Sequence, residues 1–153
     1  YSIGYSVVDH YLGATRTDWV EAYRRASERQ KAAAAEASKQ AAAARNAASG
    51  PSLPLAGYAG TYRDAWYGDI AIAIEAGRMV VRFGRTPSLV GDAEHWQYDT
   101  FVVRWRDREL RADAYLTFAL NPDGSIDQAK MRAVSDTTDF SFDFQDLLLK
   151  PVR

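Results

Sequence analysis

The chain has 153 residues, no cysteine, and 19 lysine plus arginine against 20 aspartate plus glutamate, a formal net charge of -1. That length supports one domain with a real core. The charge balance gives no footprint for nucleic acid, the missing cysteines remove disulfide and thiolate chemistry, and no run reaches the roughly 20 apolar residues of a membrane-spanning helix. The chain begins at Tyr1 without an initiator methionine, which suggests a processed or excised fragment from which any targeting signal would have been lost upstream.

In chain order, Ile3, Val7, Val8, Tyr11 and Leu12 repeat with a 3.6-residue rhythm, which predicts a short amphipathic helix closed by Gly13. Asp18 is placed to cap a second helix, with Glu21 three residues on completing a capping box. From Ala26 the apolar side chains are almost all alanine, interrupted by Glu28, Arg29, Lys31, Glu36, Lys39 and Arg45. Alanine favours helix but buries little area, so residues 22–48 read as one long stalk without a coiled-coil seam. Ser49, Gly50, Pro51 and Pro54 end it and form a hinge.

The remainder reads as strands. Ile70, Ile72 and Ile74 alternate with smaller or polar residues over 69–75, and Met79, Val81 and Phe83 alternate over 78–83. Phe101, Val103 and Trp105 do the same over 100–106. Further strands are expected over 58–63, 88–98, 112–120 and 126–134, with Asn121 to Gly124 as the strongest turn signal. A last strand is expected from Phe140, where Phe140, Phe142 and Phe144 alternate with Ser141, Asp143 and Gln145 and Leu147 and Leu149 extend the run. Eight sequential strands without intervening helices predict an antiparallel up-and-down β-barrel, because closure removes the edges. The fold class is therefore mainly β, a small eight-stranded lipocalin-like barrel behind N-terminal helices. The domain plan is a leading helix at 1–13, a linker helix and hinge at 14–52 and the barrel at 53–153. The many large aromatics predict a filled centre.

Chemistry-bearing motifs are sparse. His10 and His95 lack metal-ligand spacing, and His95 and Asp99 on a regular strand would sit about 13 Å apart. No G-x-S-x-G or S-x-x-K motif is present, and the glycines form no phosphate fingerprint. No catalytic residue, metal or cofactor is expected. Trp66 and Tyr67 fall in a turn, where they plug a barrel end or form a contact patch. His95, Trp96, Tyr98 and Trp105 are the other interface or ligand candidates. A cavity lined by Trp96, Tyr98, Phe101 and Trp105 would make the barrel a lipocalin-like binding module for an apolar ligand or part of a substrate.

Tyr58-Ala59-Gly60-Thr61-Tyr62, the Trp66-Tyr67-Gly68 turn, Glu94-His95-Trp96 with Asp99-Thr100-Phe101, and the closing run from Phe140 to Leu149 resemble the accessory C-terminal domain that follows the catalytic domain in many class C β-lactamase-like, penicillin-binding-protein-like serine hydrolases. Asp18-Trp19 and the alanine-rich helix are similar to the linker leading into such domains, and residues 1–13 to the final helix of the catalytic domain. The resemblance implies a non-catalytic tail of an enzyme acting on amide, ester or β-lactam substrates. It also implies an upstream catalytic domain as partner, an oligomer as a further possibility, and a periplasmic origin. The superfamily's catalytic motifs are absent, so no catalytic residue is carried over to this chain.

Overall fold

Asp18 acts as the cap its position predicts: its Oδ1 accepts the amide of Glu21 at 2.9 Å, and a helix starts at Trp19. This is seen in a computed structural model that describes residues 2–15 and 17–152, which divide into an N-terminal unit ending at Ala41 and a C-terminal unit beginning at Ala42. The capping box is half formed, because the Glu21 carboxylate turns instead to Arg24 and Arg25. Such exposed pairs are screened by solvent and add little.

The N-terminal unit is a helical hairpin. Helix α1 spans Ser2–Leu12 and ends at Gly13, whose φ of 61° is the left-handed conformation a C-terminal cap requires. Helix α2 spans Trp19–Ala44. The two are joined by a ring cluster: Tyr5 lies 5.1 Å from Trp19 and 6.1 Å from Tyr23, and Trp19 Nε1 donates to Asp9 Oδ2 at 2.6 Å. The expected stalk thus stops four residues early, at Ala44 rather than at 48. Arg45 and Asn46 leave the helix because their polar groups find partners within their own unit, at residues 95–98. The local turn is closed by the Ala48 amide on Asn46 Oδ1 and by Ser49 Oγ on the Asn46 carbonyl.

The C-terminal unit is a nearly closed eight-stranded antiparallel barrel. Its strands are β1 (Gly60–Asp64), β2 (Gly68–Glu75), β3 (Arg78–Phe83), β4 (Val90–Gln97), β5 (Thr100–Trp105), β6 (Ala114–Leu120), β7 (Ile126–Ala133) and β8 (Lys150–Pro151). They neighbour one another in chain order from β1 to β7, and β8 returns to lie beside β1. Leu149, just before β8, exchanges backbone hydrogen bonds with Ala129 of β7 at 2.8 and 2.9 Å, which closes the circle. The β2–β3 turn is tight, with φ of 48° at Ala76 and 77° at Gly77, the primed geometry that matches strand twist.

The alternation predicted for β2, β3 and β5 is the one observed: Ile70, Ile72, Met79, Val81, Phe83, Phe101, Val103 and Trp105 are buried and join one core. The last predicted strand is wrong. Residues 140–149 form turns and a 3-10 turn at Phe144–Asp146, and the strand that follows is two residues long. The cause is local competition for backbone amides. Asp139 Oδ1 takes the Ser141 amide at 2.9 Å, the Asp139 carbonyl takes that of Phe142 at 3.0 Å, and the Phe142 carbonyl takes that of Phe144 at 2.8 Å. Amides so engaged cannot join a ladder. Phe144 is buried while Phe140 is 90% exposed, so the alternation of this run is not that of a sheet face.

The core aromatics gather at the two ends of the barrel. At the end carrying the β4–β5 turn, the Tyr58 ring lies 5.1 Å from Phe101 and 4.8 Å from Phe118, and Tyr62 hydroxyl donates to the Tyr58 carbonyl at 2.8 Å. At the other end Tyr67, Phe83, Trp105, Phe144 and Phe142 form a chain of ring contacts between 5.6 and 5.9 Å. Trp105 Nε1 donates to the Ala112 carbonyl at 2.7 Å, so the buried indole keeps its hydrogen bond.

Gly91 is where β4 admits that indole. A Cβ there would stand 2.7 Å from Val103 Cγ1, 2.8 Å from Trp105 Cε3 and 2.9 Å from the Arg104 carbonyl oxygen. Gly91→Ala is therefore expected to lower stability by about 1–3 kcal/mol, the usual cost of overpacking, read as a fall in the thermal midpoint. An unchanged midpoint would mean that Trp105 is not held as described.

Candidate functional site

The candidate residues separate because successive hairpin turns of a meander alternate between barrel ends. Trp66 and Tyr67 lie in the β1–β2 turn; His95, Trp96 and Tyr98 lie around the β4–β5 turn at the opposite end; Trp105 lies inside. They do not converge on one pocket.

At the β1–β2 turn, Asp64 is the organising group. It is 6% exposed, and Oδ1 accepts the amides of Trp66 at 2.7 Å and Tyr67 at 2.9 Å while Oδ2 accepts the amide of Leu148 at 2.9 Å. Burial pushes its carboxyl up, but the three amides from Tyr67, Leu148 and Trp66 outweigh burial and hold it below the usual aspartate value. Arg85 Nη1 donates to the Trp66 carbonyl at 3.2 Å. The consequence is a rigid turn that seats Tyr67 against Phe83 at 5.9 Å and leaves the Trp66 side chain 84% exposed. Tyr67, not Trp66, plugs this end. Trp66, Leu148 and Val152 border a shallow groove together with Asp146.

At the β4–β5 turn, a β-bulge between His95 and Gln97 breaks the pairing register. His95 therefore turns toward Phe101, ring centroids 5.6 Å apart, and its Nε2 is hydrogen-bonded to the Tyr98 carbonyl at 2.8 Å. Trp96 meets Tyr115 at 5.6 Å on the outer face, and the Arg45 guanidinium carbon lies 4.9 Å from the centre of the Trp96 ring. Tyr98 sits at φ 47° and is 58% exposed. Among the described residues no group of three or more histidine, aspartate or glutamate side chains is placed to hold a metal ion.

Sequence reasoning missed the strap that follows α2. Arg45 donates to the carbonyls of His95, at 3.2 Å, and of Trp96. The Asn46 amide is held by Gln97 Oε1 at 2.9 Å, Asn46 Nδ2 by the Tyr98 hydroxyl at 3.2 Å, and the Tyr98 amide by Ser49 Oγ at 2.9 Å. Asp99 completes the latch. It accepts the amide and hydroxyl of Ser52, both at 2.8 Å, and the Tyr58 hydroxyl. Burial raises its carboxyl, but the hydrogen bonds from Tyr58 and Ser52, aided by the His95 charge, bring it below normal. Burial, reinforced by Asp99, pushes the Tyr58 phenol up to about 12. The only hint in the sequence was Asp99 next to a tyrosine in a tight turn, a weak signal for a bond 47 residues away.

Residues 44–151 match the family described as a domain of unknown function, DUF3471, and the chain belongs to that family. No curated protein matches. Among solved structures, the chain is similar to the one titled as the crystal structure of the C-terminal domain of penicillin binding protein Rv0907. The identity is 22% and the TM-score 0.50, over 70% of this chain and 94% of that one. At that identity the likeness is one of fold.

Two outcomes follow from the carboxylates and from Trp66. Asp64 and Asp99 have depressed folded pKa values, so the unfolded chain binds more protons at acid pH. Their stabilisation is complete above the unfolded value near 4 and is lost as pH falls through the folded values. Asp64→Asn is expected to cost about 1–3 kcal/mol at neutral pH and to flatten the fall of the thermal midpoint below about pH 4; an unchanged acid limb would remove the role assigned to Asp64. Trp66→Ala should shift the midpoint by less than about 0.5 kcal/mol equivalent, as expected of a surface position.

Proposed function

We propose that the chain is the non-catalytic C-terminal accessory part of a β-lactamase-like serine hydrolase, and that it packs against or supports the catalytic domain or its oligomer. In the solved relative, a domain of this fold is the C-terminal one of a penicillin-binding protein, which supports the same position here.

The observation that carries the reading is the orientation of α1. Its apolar stripe, Ile3, Val7, Val8, Tyr11 and Leu12, is between 48% and 83% exposed, while the side that meets α2 carries Tyr5 and Asp9. A soluble helix ordinarily buries that stripe, at about 25 cal/mol per Å² of apolar area. A helix whose stripe faces water is suited to a surface outside this chain, and a preceding catalytic domain supplies one.

The polar groups also favour a supporting role. His95, Asp99, Tyr58 and Ser52 are engaged with one another or with backbone, and Asp64 is saturated by three amides. Groups spent in this way are poorly placed to act as nucleophile or base.

The purified chain is expected to show no turnover of nitrocefin, p-nitrophenyl esters or D-amino-acid amides above the buffer blank. Activity that survives repurification and vanishes on a point substitution in this chain would overturn the accessory reading. The reading frame ahead of Tyr1 is expected to encode a serine-hydrolase domain with S-x-x-K. A frame without one would remove the parent enzyme.

A further inference from the structure

The outer face of β4 to β7 carries a run of large side chains that the core does not use. The sheet register sets Glu94, Val102, Tyr115 and Arg132 in one row across four strands, and Gln97, Thr100, Thr117 and Lys130 in the next. The β-bulge adds Trp96 to that face, in contact with Tyr115 at 5.6 Å. The Arg45 guanidinium carbon lies 4.9 Å from the centre of the Trp96 ring, and that of Arg132 lies 5.7 Å from the centre of the Tyr115 ring. Arginine, tryptophan, tyrosine and arginine thus touch in series, over three strand spacings or about 14 Å.

The charge on this face does not balance. Glu94 is paired with Arg104, Asp113 with Arg104 and Arg108, and Asp92 in the row beyond with Arg106. At the far end of β7, Asp127 is paired with Lys150. Lys130 and Arg132 are exposed, and neither they nor Arg45 form an ion pair among the described residues. Every carboxylate of these rows is therefore answered by an arginine, and three cations are left over. Arg45 spends its N–H groups on the carbonyls of His95 and Trp96, which leaves its charge uncompensated. Arg132 rests on the Tyr115 ring instead. A guanidinium held against a ring is partly ordered in advance, so it loses less entropy on meeting a carboxylate. Beside Lys130, the hydroxyls of Thr117 and Thr100 share a hydrogen bond at 3.0 Å and give the patch a neutral floor.

Composition and charge together choose the occupant. Tryptophan, tyrosine and arginine are the types most enriched at protein–protein hot spots, and here they form one connected series. The surplus is positive, so the complement carries carboxylates. A second copy offering this same face would set like charges opposite each other, which excludes two-fold pairing through it. A nucleic acid is held by a continuous track of phosphate contacts, and Glu94 and Asp113 border this patch along one side.

We propose that the outer face of β4 to β7, at Arg45, Trp96, Tyr115, Lys130 and Arg132, binds an acidic segment of a partner protein. Carboxylates of that segment meet Lys130 and Arg132, with the tyrosine ring behind them. The surface is separate from the α1 stripe, and binding to it does not depend on the parent enzyme.

A glutamate–tyrosine copolymer is the probe, added to the isotope-labelled 153-residue chain and followed by amide chemical shifts. The shifts are expected to cluster at residues 96, 115, 117, 130 and 132, and binding is expected to weaken in about 0.5 M salt, which screens the charge pairs. Lys130→Glu/Arg132→Glu is expected to weaken it by roughly 10-fold or more. Lys31→Glu/Lys39→Glu in α2, with the same change of charge, is expected to leave it unaltered. Tyr115→Leu, which removes the ring under Arg132 and keeps an apolar side chain, is expected to weaken it by roughly 3-fold or more. The thermal midpoint confirms that each variant is folded. No binding up to about 1 mM in glutamate overturns the proposal. So do shifts that cluster elsewhere, an affinity unchanged by Lys130→Glu/Arg132→Glu, or equal affinity for an oligodeoxythymidylate of matched charge, which would assign the face to nucleic acid.

Discussion

The barrel depends on how its last strand is closed. An eight-stranded meander with an unpaired first or last strand leaves a row of free amides and carbonyls, and here the closing strand is only two residues long. So short a strand cannot hold its place by ladder bonds alone. It is held by Leu149 against Ala129, by the Val152 amide on the Thr61 carbonyl at 2.8 Å, and by Lys150 on Asp127 at 2.9 Å. The buried Asp64 carboxylate binds the Leu148 amide just ahead of it. One aspartate thereby fixes both the turn that opens the sheet and the approach of the strand that shuts it. A buried carboxylate is tolerable only when its oxygens are satisfied, and three amides satisfy it.

The interior follows from the same economy of space. Within the barrel the large rings sit toward the ends, and smaller residues such as Ala93, Ala114 and Ala129 are buried in the same core. Each end then acquires its own lid. Tyr58, brought in by the 3-10 turn Leu55–Tyr58, covers one, and Tyr67 with Phe142 and Phe144 covers the other. Phe101 and Trp105 take part in these ring contacts, so both rings contribute to core cohesion at about 0.5–1.5 kcal/mol per aromatic pair.

What the sequence made legible was the short-range pattern. Period-two runs located β2, β3 and β5 because side-chain direction in a strand is set residue by residue, and the Asn121 to Gly124 turn followed from local backbone preference. Phe140 to Phe144 misled for the same reason: alternation is necessary for a half-buried strand but says nothing about whether the amides are free to pair, and Asp139 had already claimed those of Ser141 and Phe142. The strap was illegible for a different reason. Arg45 looks like one more charge on an alanine-rich helix, and its partners, His95 and Trp96, lie 50 and 51 residues away. The separation of Trp66 from His95 was legible in principle, since a meander alternates its turns, but it requires the topology to be followed strand by strand. Exposure of Trp66 was not legible at all, because a turn aromatic can plug or protrude according to which neighbour takes the interior position.

The strap bears on what kind of object this domain is. A linker that ends in glycine and proline is usually treated as a free tether, and its chain entropy would then leave a domain loosely attached. Residues 45–53 instead spend their polar groups on the β4–β5 turn through more than one kind of contact: a guanidinium on two carbonyls and on an indole face, an amide on a glutamine, and a serine amide and hydroxyl on the Asp99 carboxylate. Each bond contributes only about 0.5–1.5 kcal/mol net, but they act on consecutive residues, so releasing one leaves the others in register. A hydrophobic contact would have given as much energy with less direction. Hydrogen bonds to fixed carbonyls set the path by which residues 45–53 lead into the barrel.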